Sequence, residues 1–224
     1  MMNRLVFTRS VVLACILLLS VTVERALSAP EKPVKEVSKP EQEEPVPGDC
    51  LTDDEAELAR LVNKLRNDNG LPAIRVTGSL YKVAKWHVID LVTAPHKDKT
   101  DGRGLPCDLH RWSEKGEGRG GWKPVCYTAD HKYAKAMWDK PREITDYMGD
   151  GYEIVYWTSA PLSPSMVISF WENRKFEKDL ILEHNAWKNS KWNVMGVGIY
   201  GNYAAVWFGG KPDHEGVVGR CEKH

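Results

Sequence analysis

Apolar residues recur at helical spacing in "TDDEAELARLVNKLRNDNG" (52–70), where Leu58, Leu61, Val62 and Leu65 fall at i, i+3, i+4 and i+7. Thr52 and Glu55 have the spacing of a capping box, and Asp53 and Asp54 sit at the positive end of the helix dipole. Gly70 ends the run. A second helix is predicted from Ser79, with Leu80, Val83, Ala84, His87 and Leu91 on one face. A histidine on such a face is more often a hydrogen-bonded core residue than a ligand. Residues 95–127 lose all periodicity and are rich in glycine, which predicts a long loop. A third helix is predicted over 129–140, disturbed at its end by Pro141.

The period then changes. "GYEIVYW" (151–157) alternates as a strand, with Tyr152, Ile154 and Tyr156 on one side and Glu153, Val155 and Trp157 on the other. A fourth helix begins near Ser163 or Ser165 and carries Val167, Phe170 and Trp171. "WNVMGVGIY" and "YAAVWFGG" flank the pair Gly201-Asn202, a strong signal for a hairpin. Helices are not interleaved one for one with strands. The pattern therefore predicts an α+β fold, a small antiparallel sheet covered by helices.

The first 29 residues follow a different rule. Arg4 and Arg9 precede an apolar run over 11–23, and small residues follow at Ala26, Ser28 and Ala29. This is the pattern of a secretory signal peptide, too short to span a bilayer comfortably. A lipoprotein signal ending at Cys15 and an uncleaved anchor are the rival readings. Residues 30–49 hold five prolines and no aromatic residue, which reads as a solvated linker. One domain is left over 50–224, large enough for a single core.

Charge narrows the partners. The chain is formally neutral, and loss of Arg4, Arg9, Arg25 and Glu24 with the leader leaves a slight acidic excess. No clustered basic surface suggests nucleic acid. Four cysteines remain in the domain: Cys50, Cys107, Cys126 and Cys221. An even number in an exported chain predicts two disulfides, with three pairings possible. Cys107 with Cys126 would staple the glycine-rich loop, and Cys50 with Cys221 would tie the domain's ends together. Secretion, or residence in a periplasm or cell envelope, is the expected location.

Several phrases in this order resemble the CAP superfamily, the cysteine-rich secretory, antigen 5 and pathogenesis-related class 1 proteins. "LVNKLRNDNGLPAIRV" is similar to the family's opening helix and its exit. "DLHRWSEKG" is similar to its first-histidine segment, and "GYEIVYW" stands in its glutamate segment. "CYTADHKYAKAMWDKPREIT" resembles the middle of a microbial branch, and "WNVMGVGIYGNYAAVWFGG" resembles the closing hairpin. The likeness covers 52–209. It implies an α-β-α sandwich with an open cleft lined by two histidines and two glutamates, which hold a divalent metal in some members.

On that resemblance His110 takes the first histidine position and Glu153 a glutamate position. Glu177 lies six residues after Trp171 and four and five before Ile181 and Leu182, which is the microbial register of the second histidine. His184 is the second choice for that position, and Glu172 reads as a surface residue. One nitrogen and two carboxylates would favour a harder, Mg-like cation or hold zinc weakly. Carboxylates so close together would raise one another's pKa. Without a metal, His110 and Glu153 would simply hydrogen-bond in a polar groove. Trp112 and Trp122 could wall the ligand cleft; Trp157 reads as core.

The resemblance implies a secreted, non-enzymatic binding module for an extracellular lipid, glycan or protein, with no membrane span after leader removal. The alternative is a metal-dependent hydrolase using the same cleft, although the chain lacks HExxH and GxSxG. An adhesive or structural envelope component is a third reading.

Overall fold

The computed structural model describes residues 49–94, 99–116 and 121–222, which belong to one compact unit, Glu43–His224. The leader and linker lie outside the described residues, Asp49 excepted. Among the described residues, five α-helices and four strands follow in the order α1 (Asp53–Asp68), β1 (Arg75–Val76), α2 (Gly78–Thr93), α3 (Ala134–Ile144), β2 (Gly151–Trp157), α4 (Pro164–Glu172), α5 (Lys175–Ile181), β3 (Val194–Tyr200) and β4 (Tyr203–Gly209). The fold is α+β. The sheet order is β1-β3-β4-β2. The three long strands are antiparallel, and the two-residue β1 adds a parallel edge to β3.

The capping box forms as its spacing dictates. Thr52 accepts from the Glu55 backbone, and the Glu55 carboxylate accepts from the Thr52 backbone at 2.9 Å. Glu55 is also fully buried, where it accepts from Lys85 Nζ at 2.7 Å and from the backbone of Ile199 at 3.0 Å. The cap therefore also ties α1 to α2 and to β3.

Two apolar layers lie on the two faces of the sheet. On one, Val62, Val167, Trp171 and Ile181 of α1, α4 and α5 pack on Ile154, Val197 and Val206. On the other, Leu80, Val83 and Val88 of α2 and Met137 of α3 pack on Ala205 and Trp207. The alternation of β2 holds: Ile154 faces the first layer and Val155 the second.

Two glycines set how close α2 comes to the sheet. A Cβ on Gly196 would run into the carbonyl of Leu80, and one on Gly198 into that of Ala84. The helix backbone thus lies directly on β3. Gly196 and Glu153 both pair with Trp207, so they share the sheet face that α2 covers. This register places His87 of α2 over Glu153 of β2.

Two expectations need correction. The third helix starts at Ala134, not near 129, because residues 129–133 form turns. Asp130 explains the delay: it pairs with Arg103 at 2.5 Å, accepts from Thr128 at 2.7 Å, and His131 takes a left-handed φ of 57°. Trp157 is 47% exposed rather than in the core. It stands at the end of edge strand β2, with the ring of Tyr203 6.4 Å away between centroids. The disulfides are Cys50–Cys221 and Cys107–Cys126. The first joins the two ends of the domain, and the second braces the loop.

Candidate functional site

Glu153 is the centre of the site. Its carboxylate is fully buried between two imidazoles: His87 Nδ1 faces Oε1, and His110 Nδ1 faces Oε2 at 2.7 Å. His87 Nε2 faces the carbonyl of Arg111 at 3.0 Å. The ring of His87 is thus held at both nitrogens, between a carboxylate and a backbone carbonyl. The ring of His87 stacks on Trp112 with centroids 4.4 Å apart. His110 is held from behind by Asp108, whose Oδ1 accepts from the His110 backbone at 2.9 Å. Tyr127 presents its ring to His110 at 5.3 Å.

The electrostatics follow from this enclosure. Burial alone would raise the pKa of Glu153, but the charge of His87 and the hydrogen bonds from His110 and His87 overcome it and hold the carboxyl down to about 2. The expectation of a raised carboxylate is thereby corrected: imidazoles flank Glu153 on both sides. His110 is subject to opposite pressures. Burial lowers its pKa, while Glu153, Asp108 and Glu177 raise it, and the net shift is upward. Burial, with the charges of Asp108 and Glu153, pushes the Tyr127 hydroxyl up to about 12.

His110 and Glu153 open onto a cavity of about 230 Å³. Its walls are mostly apolar and come from several elements. Met137 and Trp138 come from α3, Tyr152 from β2, Phe176 and Leu180 from α5, and Trp187 from a single 3-10 turn. Tyr127 and His131 close the loop side, with the Tyr127 hydroxyl 3.2 Å from His131 Nδ1. Among the described residues, no serine, threonine or cysteine lines it.

The remaining sequence candidates fall elsewhere. Glu177 is on the first turn of α5, its nearest cation Arg174 at 3.9 Å. It does not line the cavity, although its charge reaches His110. His184 is exposed and precedes the 3-10 turn; its backbone N–H donates to the Asp179 carbonyl at 2.8 Å. Glu172 is exposed at the end of α4. Trp112 and Trp122 are each only 3% exposed and pack in the α2 layer, with rings 5.0 Å apart, so neither walls this cavity. The physical reason is that the loop folds its tryptophans inward over α2, where Trp112 covers His87.

Among the described residues, no group of three or more His, Cys, Asp or Glu side chains is placed to hold a metal ion. His110, Glu153 and Glu177 do not converge as a ligand set. Both oxygens of Glu153 and the Nδ1 of His110 are committed to one another and to His87. The donor atoms present do not fit a metal without breaking that chain.

No protein-family model matches this chain, and no curated protein does. Among solved structures it is similar to a cysteine-rich secretory protein from Staphylococcus aureus subsp. aureus Mu50. The identity is 16% over 71% of this chain and 38% of that one, with a TM-score of 0.44. It is also similar to an extracellular protein containing an SCP domain from Bacillus anthracis str. Ames. Here the identity is 14% over 70% of this chain and 40% of the other, again with a TM-score of 0.44. This chain spans about two-fifths of the length of each.

His87 is the site residue that sequence reasoning set aside. Its position on the apolar face of α2 signalled burial, and it is indeed fully buried. Only its neighbour across the sheet, Glu153, makes it part of the site. The chemistry available is that of His110. Its Nδ1 is anchored on a carboxylate, and no hydrogen bond among the described residues occupies Nε2. That nitrogen can donate to, or exchange a proton with, a group in the cavity.

Proposed function

We propose that this domain is an exported binding module whose ligand is a small, largely apolar molecule held in the aromatic cavity against His110. The observation that carries this reading is the cavity itself, with aromatic and aliphatic walls and one anchored imidazole at a polar corner. Pockets of that make-up bind by apolar contact and orient by a few polar groups. Among the described residues no serine, threonine or cysteine lines the cavity beside His110, so the lining offers no hydroxyl–imidazole or thiol–imidazole pair of the hydrolase kind. Export rests on the leader-like first 29 residues and on the two disulfides, which form in oxidising compartments.

Calorimetric titration with 1-naphthol, an aromatic molecule with one hydroxyl, tests the reading. Saturable one-to-one binding is expected. It should be lost in Trp138→Ala, weakened in His110→Ala and unchanged in His184→Ala. No binding by the intact domain counts against the proposal. Stoichiometric zinc binding that weakens in both His110→Ala and Glu177→Ala would overturn it in favour of a metal site.

A further inference from the structure

A second cavity, also about 230 Å³, lies beside the Cys107–Cys126 disulfide and is separate in its lining from the aromatic one. His110 and Arg111 are consecutive, yet His110 lines the first and Arg111 the second. The second is framed by fixed backbone. Trp112 and Val125 exchange two hydrogen bonds of 2.9 Å, Cys107 donates to the Lys99 carbonyl at 3.0 Å, and the disulfide closes the frame.

Arg111 is the anomaly in this frame. It is 6% exposed, and its guanidinium makes one long hydrogen bond, from Nη1 to the Asp108 carbonyl at 3.3 Å. Its Nε is buried with no partner. No carboxylate among the described residues pairs with it. Asp90 is the buried acid nearby, but both its oxygens are taken by Ser113, whose backbone N–H lies 2.9 Å away. The indole Nε1 of Trp112 is also buried without a partner. The buried Nε1 atoms of Trp171 and Trp207 are unpartnered too, but neither of those residues lines either cavity, whereas Arg111 and Trp112 line the same one. At the exposed rim stand Lys99 and Glu114.

A buried guanidinium without a counter-charge is costly, and native structures rarely keep one unless something pairs with it. Among the described residues, two cations against one carboxylate leave the lining net positive. We infer that this cavity is a binding site for a small oxyanion, a carboxylate or a tetrahedral phosphate or sulfate, received by Arg111 and the Trp112 indole N–H with Lys99 at the mouth. A guanidinium fork suits both shapes, and each bond it makes to an anion is charge-assisted. A water takes about 30 Å³ of liquid, so the space accepts such an ion with some of its hydration. The site does not depend on what the aromatic cavity binds.

The test titrates the purified domain with sodium phosphate, sulfate and acetate against chloride at matched ionic strength, by calorimetry and thermal unfolding. At least one oxyanion should bind saturably and raise the unfolding temperature. Loss of a charged hydrogen-bond donor weakens binding by about tenfold or more, which is the change expected for Arg111→Gln. Arg111→Lys should recover part of it. Trp112→Phe and Lys99→Gln should each weaken binding several-fold, and these serve if Arg111→Gln does not fold. Lys82→Gln, at a surface pair with Glu215, should change nothing. The proposal fails if no oxyanion binds above chloride. It also fails if affinity survives in Arg111→Gln, or in both Trp112→Phe and Lys99→Gln.

Discussion

Glu153→Gln changes one atom type at the centre of the site and keeps its shape. The glutamate offers two acceptor oxygens, each facing an imidazole Nδ1. The amide offers one oxygen and one NH2, so one imidazole must then face a donor. A buried pair broken on one side costs about 3–5 kcal/mol. In a domain of this size each kcal/mol moves the unfolding midpoint by about 2–4 °C, so a fall of about 6–20 °C is expected.

The pH dependence separates charge pairing from mere packing. Glu153 has a folded pKa depressed below its ordinary 4.5, so its contribution is present above about 4.5 and fades as pH falls toward 2. His110 has a folded pKa raised above its ordinary 6.5, so its contribution is full below about 6.5 and is lost as pH rises through the folded value. Both are complete only between those limits. The gap between wild type and Glu153→Gln should therefore be widest near pH 5.5 and narrow on either side. Circular dichroism melts from pH 3 to 9 measure it. A gap that is flat across that range, or below about 1 kcal/mol throughout, refutes an ionised Glu153 paired with a protonated His110.

Gly196→Ala should destabilise the domain severely, by about 3 kcal/mol or more, because the added Cβ meets the Leu80 carbonyl and neither backbone can yield cheaply; urea unfolding or loss of soluble protein reads it. Loop-closure entropy ranks the disulfides. Cys50–Cys221 spans 171 residues and Cys107–Cys126 spans 19, so the paired serine substitutions should cost about 5 and 3 kcal/mol by chain entropy. The reverse order in denaturant titrations would show that local bracing of the loop outweighs chain entropy. Glu177→Gln should lower the His110 titration midpoint in NMR, since Glu177 is one of the charges that raise it, while His184→Ala should leave it in place.

Local signals were the legible part of this chain. The capping box, the helical stripe of α1 and the hairpin turn each depend on residues within a few positions of one another, and each forms. The resemblance put His110 and Glu153 in one site, and they hydrogen-bond there. What escaped depends on distant partners. The start of α3 is set by Arg103, 27 residues before Asp130. Phe170 and Phe176 lie on separate helices because the chain breaks after Glu172 into α4 and α5, so only the second reaches the cavity. The inward turn of Trp112 and Trp122 comes from a loop without periodicity, where no pattern tells inside from outside.

His87 shows why the choice between core and site was the wrong division. A histidine on an apolar helix face is buried because its neighbours are, and burial obliges both ring nitrogens to find partners. The two glycines of β3 bring α2 so near the sheet that the partner on one side is the carboxylate of Glu153. The same bond that satisfies the core histidine fixes the charge and direction of Glu153, and Glu153 in turn fixes His110 at the cavity. Packing and function thus share one chain of hydrogen bonds, from the Arg111 carbonyl through His87 and Glu153 to His110. Arg111, whose carbonyl ends that chain, also lines the second cavity. A change at Gly196 should therefore disturb His110 as surely as a change at Glu153.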